Sequence, residues 1–222
     1  MSIEIITTSD GSHSLLNTAL NETYHSKHGA LQESVHVFIK EGLGYFLQTK
    51  SQKNISILEV GFGTGLNALL TLQHALELPN NIYYTSLETF PVPEEIWSQL
   101  NYIDSVGLKE KFNQLHEAPW NEEVPIISNF NLRKLQTSLQ QIDFSSGFDL
   151  IYFDAFAPNK QPEMWEIAVL EKVVNAMHTD GIFVTYCAKG QLKRDLKSLG
   201  LEVETLAGPP GKKEMVRAVK KN

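Results

Sequence analysis

Three sets of residues in this sequence have the types and spacing to do chemistry. Glycines at alternate positions, Gly61, Gly63 and Gly65, follow an acid, Glu59. A second acid, Glu88, closes the apolar run Ile82 to Leu87. A third, Asp154, closes the run Leu150-Ile151-Tyr152-Phe153 and opens the segment Ala155-Phe156-Ala157-Pro158. Glycine lets a ligand approach the main chain and admits backbone angles that side chains forbid. A helix that follows such a turn points its partially positive N-terminus at the ligand. An acid about 20 residues past a glycine turn is placed for ribose, since one carboxylate accepts from two hydroxyls at once. Asp154, like Glu88, is an acid at the end of an apolar run, the place where open α/β sheets bind ligands. The spelling E-x-G-x-G-x-G departs from the G-x-G-x-x-G of a dinucleotide turn, which argues against a nicotinamide dehydrogenase. So does the absence of an evident catalytic histidine or lysine pair.

These groups need strands and helices to bring them together. The run into Val60 reads as a buried strand and Leu66 to Leu78 as the helix after the turn. Ile82 to Leu87, Phe130 to Leu139, the run that ends at Phe153 and Gly181 to Cys187 read as further strands. Helices are expected over Pro91 to Gly107, Lys109 to Leu115, Pro162 to Met177 and Gly190 to Leu199. Leu201 to Leu206 and Met215 to Val219 flank the loop Gly208 to Lys213 and fit an antiparallel hairpin at one sheet edge. The class is α/β: a Rossmann-like sheet, parallel apart from that hairpin. In such open sheets, ligands bind outside the C-terminal ends of the strands, so the glycine turn, Glu88 and Asp154 should face one crevice. Residues 136–138 should form its third wall. Ahead of this core (51–222), residues 1–50 read as a small N-terminal extension. Strands Ile3 to Thr7 and His13 to Leu16 form a hairpin in it, and a helix over Gln32 to Leu47 is weakened or broken at Gly42 and Gly44.

At 222 residues with 42% apolar and 20% charged side chains, the chain has the size and composition of a globular protein with a substantial core. One cysteine, Cys187, precludes an internal disulfide, and the polar N-terminus lacks a leader, so a cytoplasmic setting is expected. No apolar run approaches a bilayer span, and no membrane association is expected. The net charge of −7 argues against a generic nucleic-acid coat protein, yet it is uneven. From Tyr186 onward the balance is +5, which leaves −12 for the rest. His25, His28 and His36 lack a cysteine or carboxylate cluster and are expected as loop and helix histidines, with no metal.

Four segments carry a resemblance: Tyr24 to Ser34 with Val37-Phe38, Glu59 to Asn67, Asp154 to Trp165, and Gly208 to Met215. The glycine turn resembles motif I of the class I S-adenosylmethionine-dependent methyltransferases. The whole set, in order, is similar to the bacterial tRNA methyltransferases that complete 5-methylaminomethyl-2-thiouridine at the wobble position. D-x-F-A-P-x-x-x-P-x-M-W is its most specific part. With no flavin-binding domain following, the standalone form is expected. The resemblance implies S-adenosylmethionine as cofactor, held by Glu33, Glu59, Gly61, Phe62, Gly63, Gly65, Asn67 and Glu88. Glu33 has the alternative of a solvated helix acid. Because no acid ends the third strand, Thr137 or a neighbouring backbone amide must serve adenine.

The implied reaction is methyl transfer to the aminomethyl nitrogen of the tRNA base, with Asp154 as the catalytic residue. Phe156 and Trp165 would stack on a splayed-out base of the anticodon loop, although Trp165 reads equally well as packing its helix on the sheet. Lys160, Lys189, Lys193, Arg194, Lys212 and Lys213 would meet tRNA phosphates, against the alternative of a solvated face. Competing readings are aminopropyl transfer of the spermidine synthase type, methyl transfer to another amine, and a binding module that has lost its chemistry.

Overall fold

Apolar residues that alternate between two faces build the centre of this molecule. In the strand β4 (Asn54–Val60), Ile57 belongs to one apolar layer while Leu58 and Val60 belong to the other. A strand covered on both faces reads as a nearly continuous apolar run, and β8 (Phe148–Phe153) is buried at every position. The computed structural model describes residues 3–102, 108–144 and 147–221.

The chain begins with β1 (Ile3–Thr7), β2 (His13–Asn17) and β3 (Glu22–Thr23), which form a small antiparallel sheet. A helical rod, α1 (residues 30–49), follows. It starts as α-helix at Ala30–Ser34, widens into a π-helix at Val35–Gly44 and ends as α-helix at Tyr45–Thr49. Of the weakening or break expected at Gly42 and Gly44, the break does not occur: the rod runs through both, and both lie in its π-helical stretch. A Cβ on Gly42 would lie 3.2 Å from the Tyr152 and Val184 side chains, so this glycine lets the rod lie directly on the sheet.

After β4 come α2 (Leu66–Ala75), β5 (Asn81–Leu87), a short α3 (Glu94–Trp97) and α4 (Lys109–Glu117). The helix expected over Pro91 to Gly107 thus begins as a single turn, and its part over 103–107 lies outside the described residues. Next are β6 (Glu123–Ile127), β7 (Phe130–Leu135) and β8. β6 was not anticipated. It carries Pro125 and pairs antiparallel with β7 at the sheet edge, where a missing N–H leaves no ladder partner unsatisfied. β7 stops at Leu135, so residues 136–138 leave the strand earlier than expected.

A 3-10 turn at Pro162–Trp165 precedes α5 (Ile167–Ala176), in place of one continuous helix to Met177. Met177 instead opens β9 (Met177–Thr185). α6 (Gly190–Ser198), β10 (Leu201–Ala207) and β11 (Glu214–Lys220) complete the chain.

The large sheet has the order β10-β11-β9-β8-β4-β5-β7-β6. The five strands from β9 to β7 are parallel, and the expected hairpin β10–β11 adds an antiparallel edge on β9. The chain leaves β4 toward β5 and β7 and then crosses to β8 on the other side, so the switch point lies between β4 and its two neighbours. Register sharpens this. Val60 pairs with Leu87 on one side and with Phe153 on the other. The next residues along the three strands, Gly61, Glu88 and Asp154, therefore emerge side by side.

Candidate active site

A cavity of about 630 Å³ lies over these three strand ends. The glycine turn forms its floor. Gly61, Gly63 and Gly65 all have positive φ, at 98°, 50° and 73°. A Cβ on Gly61 would lie 2.8 Å from the Asp154 carbonyl oxygen, and one on Gly65 would lie 2.8 Å from His116 Nε2. The Gly61 and Phe62 amides both donate to the Leu87 carbonyl at 3.0 Å, which pins the turn to β5.

Glu88 is gripped at both oxygens. Oε2 accepts the Gly63 amide at 3.0 Å and Oε1 accepts the Phe90 amide at 2.9 Å. Each oxygen keeps a lone pair for a hydroxyl from the cavity. Burial pushes this carboxyl up, opposed by the amides of Phe90, Gly63 and Thr89.

Asp154 extends the β4–β8 ladder by donating its amide to Val60 O at 3.0 Å. Its Oδ2 accepts from Asn67 Nδ2 at 2.9 Å. Burial first, and the Glu33 carboxylate second, push Asp154 up to about 7, against the Asn67 bond and the Lys212 cation. Glu33 is buried at the base of α1. One of its oxygens accepts the Ser26 amide at 2.6 Å and the other is ion-paired with Lys212. The Lys212 ammonium also sits over the Tyr186 ring, 3.6 Å from its centroid.

The wall beside Asp154 is aromatic. Tyr24 meets Phe156 edge-on with centroids 5.0 Å apart, and Tyr186 donates its hydroxyl to Ala155 O at 2.8 Å. Lys160 spans from the loop after β8 to the turn between β2 and β3, donating to the carbonyls of Leu20 and Asn21 at 3.0 Å each. Its ammonium is therefore engaged with the protein's own backbone.

Of the residues expected from sequence, Glu33, Gly61, Phe62, Gly63, Asn67, Glu88, Thr137, Asp154, Phe156, Lys160 and Lys212 line this one cavity. The others lie elsewhere. Gly65 sits behind the turn against His116. Glu59 is fully buried beneath it, accepting the Ser86 hydroxyl at 2.6 Å. Trp165 is 8% exposed, packs against Phe153 with centroids 4.9 Å apart and donates to Phe156 O at 2.8 Å. It holds up Phe156 from below and has no free face for a base. Lys189 and Lys213 are exposed outside the cavity, and Lys193 is ion-paired with Glu214 at 2.9 Å. Sequence reasoning missed Tyr24, Tyr186 and Phe90. The strand-end rule reaches Tyr186, which follows β9 by one residue, and Phe90, two residues past Glu88. Tyr24 directly follows β3; it opens the first of the four resembling segments, but its type and spacing there assign it no chemistry.

The donor set fits an adenosyl amino-acid cofactor: a glycine floor with positive φ, a ribose-competent carboxylate and a partly apolar chamber. Among the described residues no group of three His, Cys, Asp or Glu side chains is placed to hold a metal ion, and no helix is long and apolar enough to cross a membrane.

Comparison with known proteins bears on this geometry. Residues 111–221 match the model of a family described as S-adenosyl-L-methionine-dependent methyltransferase. The chain is 30% identical over 208 residues to the tRNA 5-methylaminomethyl-2-thiouridine biosynthesis bifunctional protein MnmC of Methylobacillus flagellatus, covering 88% of this chain and 32% of that one. It is 31% identical over 211 residues to the protein of the same name from Leptospira interrogans, with the same coverage. The chain thus spans about a third of the length of these curated relatives. The crystal structure of MNMC2 from Aquifex aeolicus superposes with a TM-score of 0.80 at 26% identity, over 98% of this chain and 69% of that one. Spermidine synthase from Thermotoga maritima, with a TM-score of 0.59 at 10% identity over 100% of this chain and 80% of that one, shares the fold.

Proposed function

Because this chain belongs to the S-adenosyl-L-methionine-dependent methyltransferase family, we propose that it methylates the aminomethyl nitrogen of 5-aminomethyl-2-thiouridine at the wobble position of tRNA. The relatives named for biosynthesis of 5-methylaminomethyl-2-thiouridine, the nucleoside this transfer would produce, support the substrate. The observation that carries the reaction is Asp154: a carboxylate tethered by Asn67, in the same cavity as the glycine turn and Glu88.

S-adenosylmethionine, when bound, supplies an electrophilic methyl group. The chain's own residues do the rest. Gly61 and Gly63 would give the floor for the cofactor, and Glu88 would accept from its ribose hydroxyls. Thr137 and its neighbours after the end of β7 would border the adenine. Tyr24, Phe156 and Tyr186 wall the acceptor side and keep water from the reacting nitrogen. Asp154 accepts an N–H of the incoming amine and so aims its lone pair, which is positioning catalysis. A carboxyl held near 7 is also matched to removing a proton at ordinary pH. The exposed Lys189 and Lys213 meet tRNA phosphates, and a cytoplasmic setting follows from that substrate.

The test is transfer from labelled S-adenosylmethionine into tRNA that carries the aminomethyl precursor, followed by nucleoside mass analysis. The expected product is the methylamino nucleoside. Asp154→Asn should retain cofactor binding and lose turnover by about 100-fold or more, the scale of general acid–base assistance. Label in a different nucleoside would refute the acceptor, and retained turnover in Asp154→Asn would refute the role of Asp154.

A further inference from the structure

The cavity holds a pair of opposite charges that the proposed transfer does not use. Glu33, near the start of α1, is 4% exposed, and its carboxylate is ion-paired with Lys212 from the loop between β10 and β11. Both side chains line the cavity. The loop that delivers the lysine is a tight turn. The Lys212 amide donates to Pro209 O at 2.9 Å, the Gly208 amide donates to Lys213 O at 3.1 Å, and the His28 ring lies against Gly211 where a Cβ would stand. Val216 pairs with Thr185, so the turn that precedes β11 stands beside Tyr186, over the same strand ends as the glycine turn.

Strand order decides which end of a ligand meets this pair. Glu88 follows β5, on one side of β4. Asp154 follows β8 and Tyr186 follows β9 on the other side, and β11 lies beyond β9. A ligand whose ribose is on Glu88 and which crosses the glycine turn therefore has its far end among Asp154, Tyr186, Lys212 and Glu33.

Both charged groups there have bonding capacity left. An ammonium carries three N–H donors, and among the described residues Lys212 Nζ meets one acceptor, Glu33, besides the Tyr186 ring. A carboxylate has about four acceptor sites, of which Glu33 uses one for the Ser26 amide and one for Lys212. Stability is a poor reason for the pair. Buried ion pairs are often no better than apolar side chains of similar volume, and this one puts a negative charge close enough to raise Asp154. An α-amino acid carries both complements: a carboxylate that accepts from an ammonium, and an ammonium that donates to a carboxylate. S-adenosylmethionine ends in such a group.

We propose that Lys212 and Glu33 are the receptor for the amino-acid end of the cofactor, Lys212 binding its carboxylate and Glu33 its ammonium, so that Lys212 selects S-adenosylmethionine over its decarboxylated form. The proposal rests on the methyltransferase reading given above, and it replaces the tRNA phosphate expected for Lys212. Without the carboxylate, the tail brings only an ammonium and a sulfonium toward the Lys212 ammonium, like charge against like. The decarboxylated tail is the aminopropyl group itself. One lysine thus favours methyl transfer over aminopropyl transfer on a fold shared with a spermidine synthase.

The test is calorimetric and needs no turnover. S-adenosylmethionine and its decarboxylated form differ only in the carboxylate. The wild type should bind the first more tightly by about 30-fold or more, the scale of a lost charge partner. In Lys212→Met the two affinities should become nearly equal. A lysine with a merely structural role would weaken both ligands alike and keep their ratio, which overturns the proposal. Glu33→Gln should weaken both by about tenfold, because both carry the ammonium, and unchanged affinities overturn the part given to Glu33. Should Lys212→Met fail to fold, the wild-type ratio still decides, since equal affinities overturn the selection. Unchanged S-adenosylmethionine affinity in Lys212→Met together with weaker tRNA binding assigns the lysine to the acceptor and also overturns it. The ligand titrations contain no methyl acceptor, so a different acceptor would refute the substrate proposed above and leave these ratios as they are. A wild type that binds neither ligand would refute the cofactor, and both readings with it.

Discussion

Replacing either member of the Glu33–Lys212 pair should move Asp154 in opposite directions. The Glu33 carboxylate raises Asp154 and the Lys212 cation lowers it. Activity that needs ionised Asp154 rises with pH through about 7. Lys212→Met should therefore shift this acid limb to higher pH and Glu33→Gln should shift it lower, as read from kcat against pH at saturating cofactor. Glu59 makes a prediction about stability. It binds a proton more tightly when folded, at about 8, than in the unfolded chain, near 4.5. Stability that is fully present below about 4.5 is therefore lost progressively as pH rises toward 8, at up to about 1.4 kcal/mol per pH unit. Glu59→Gln removes that dependence, so its Tm should fall less than the wild type's between pH 5 and 8 in thermal scans. At this scale Glu88 and Asp154 were legible because each terminates an apolar run, and strand ends converge at a switch point. Glu59 was misread because the spelling of a motif does not say toward which layer a strand residue points. That depends on its shared face with Ile57 and on the helix above.

α1 owes its seat on the sheet to Gly42, and its N-terminus is held by the hairpin rather than by a local cap. Ser12 Oγ accepts the amides of Ala30 and Leu31 at 3.2 Å, while Asp10 Oδ2 accepts the Gln32 amide at 3.0 Å. Gly42→Val places methyl groups against Tyr152 and Val184 and should destabilise the protein by about 1–3 kcal/mol in urea unfolding, as overpacking does. Lys40→Ala, on the exposed side of the same rod, should change stability by less than about 0.5 kcal/mol. The helical period was readable from Val35, Phe38, Ile39 and Leu43. The π-helical winding was not, because the spacing of apolar residues does not say which carbonyl each amide reaches. β6 escaped for a different reason. Its proline argues against a strand unless the edge position is already known.

For the molecule as a whole, much of the positive charge gathered at the C-terminal end is spent internally. Lys193 meets Glu214, Lys212 meets Glu33, Arg217 meets Glu41 and Glu204, and Lys221 meets Asp180 and Glu202. Lys220 caps the carbonyls of Val174 and Met177. Lys189 and Lys213 remain exposed without an ion pair among the described residues. Lys189→Glu and Lys213→Glu should each weaken tRNA binding, lower the slope of log affinity against log salt by about one, and leave S-adenosylmethionine affinity unchanged, as measured by filter binding and calorimetry. The count of basic residues was plain in the sequence; which of them are free depends on partners from distant elements.

The Glu33–Lys212 contact joins residues 179 positions apart. Contacts of such separation carry a large loop-closure cost, and topologies rich in them fold slowly. The strands that bear Glu88 and Asp154 associate through nearer neighbours, so the central sheet has a kinetic head start over the mouth of the cavity. In refolding experiments, recovery of cofactor binding should therefore lag behind the burial of Trp97 and Trp165, and the lag should change when the contact is removed in Lys212→Met. The cavity should be finished last because its two rims come from segments this far apart along the chain.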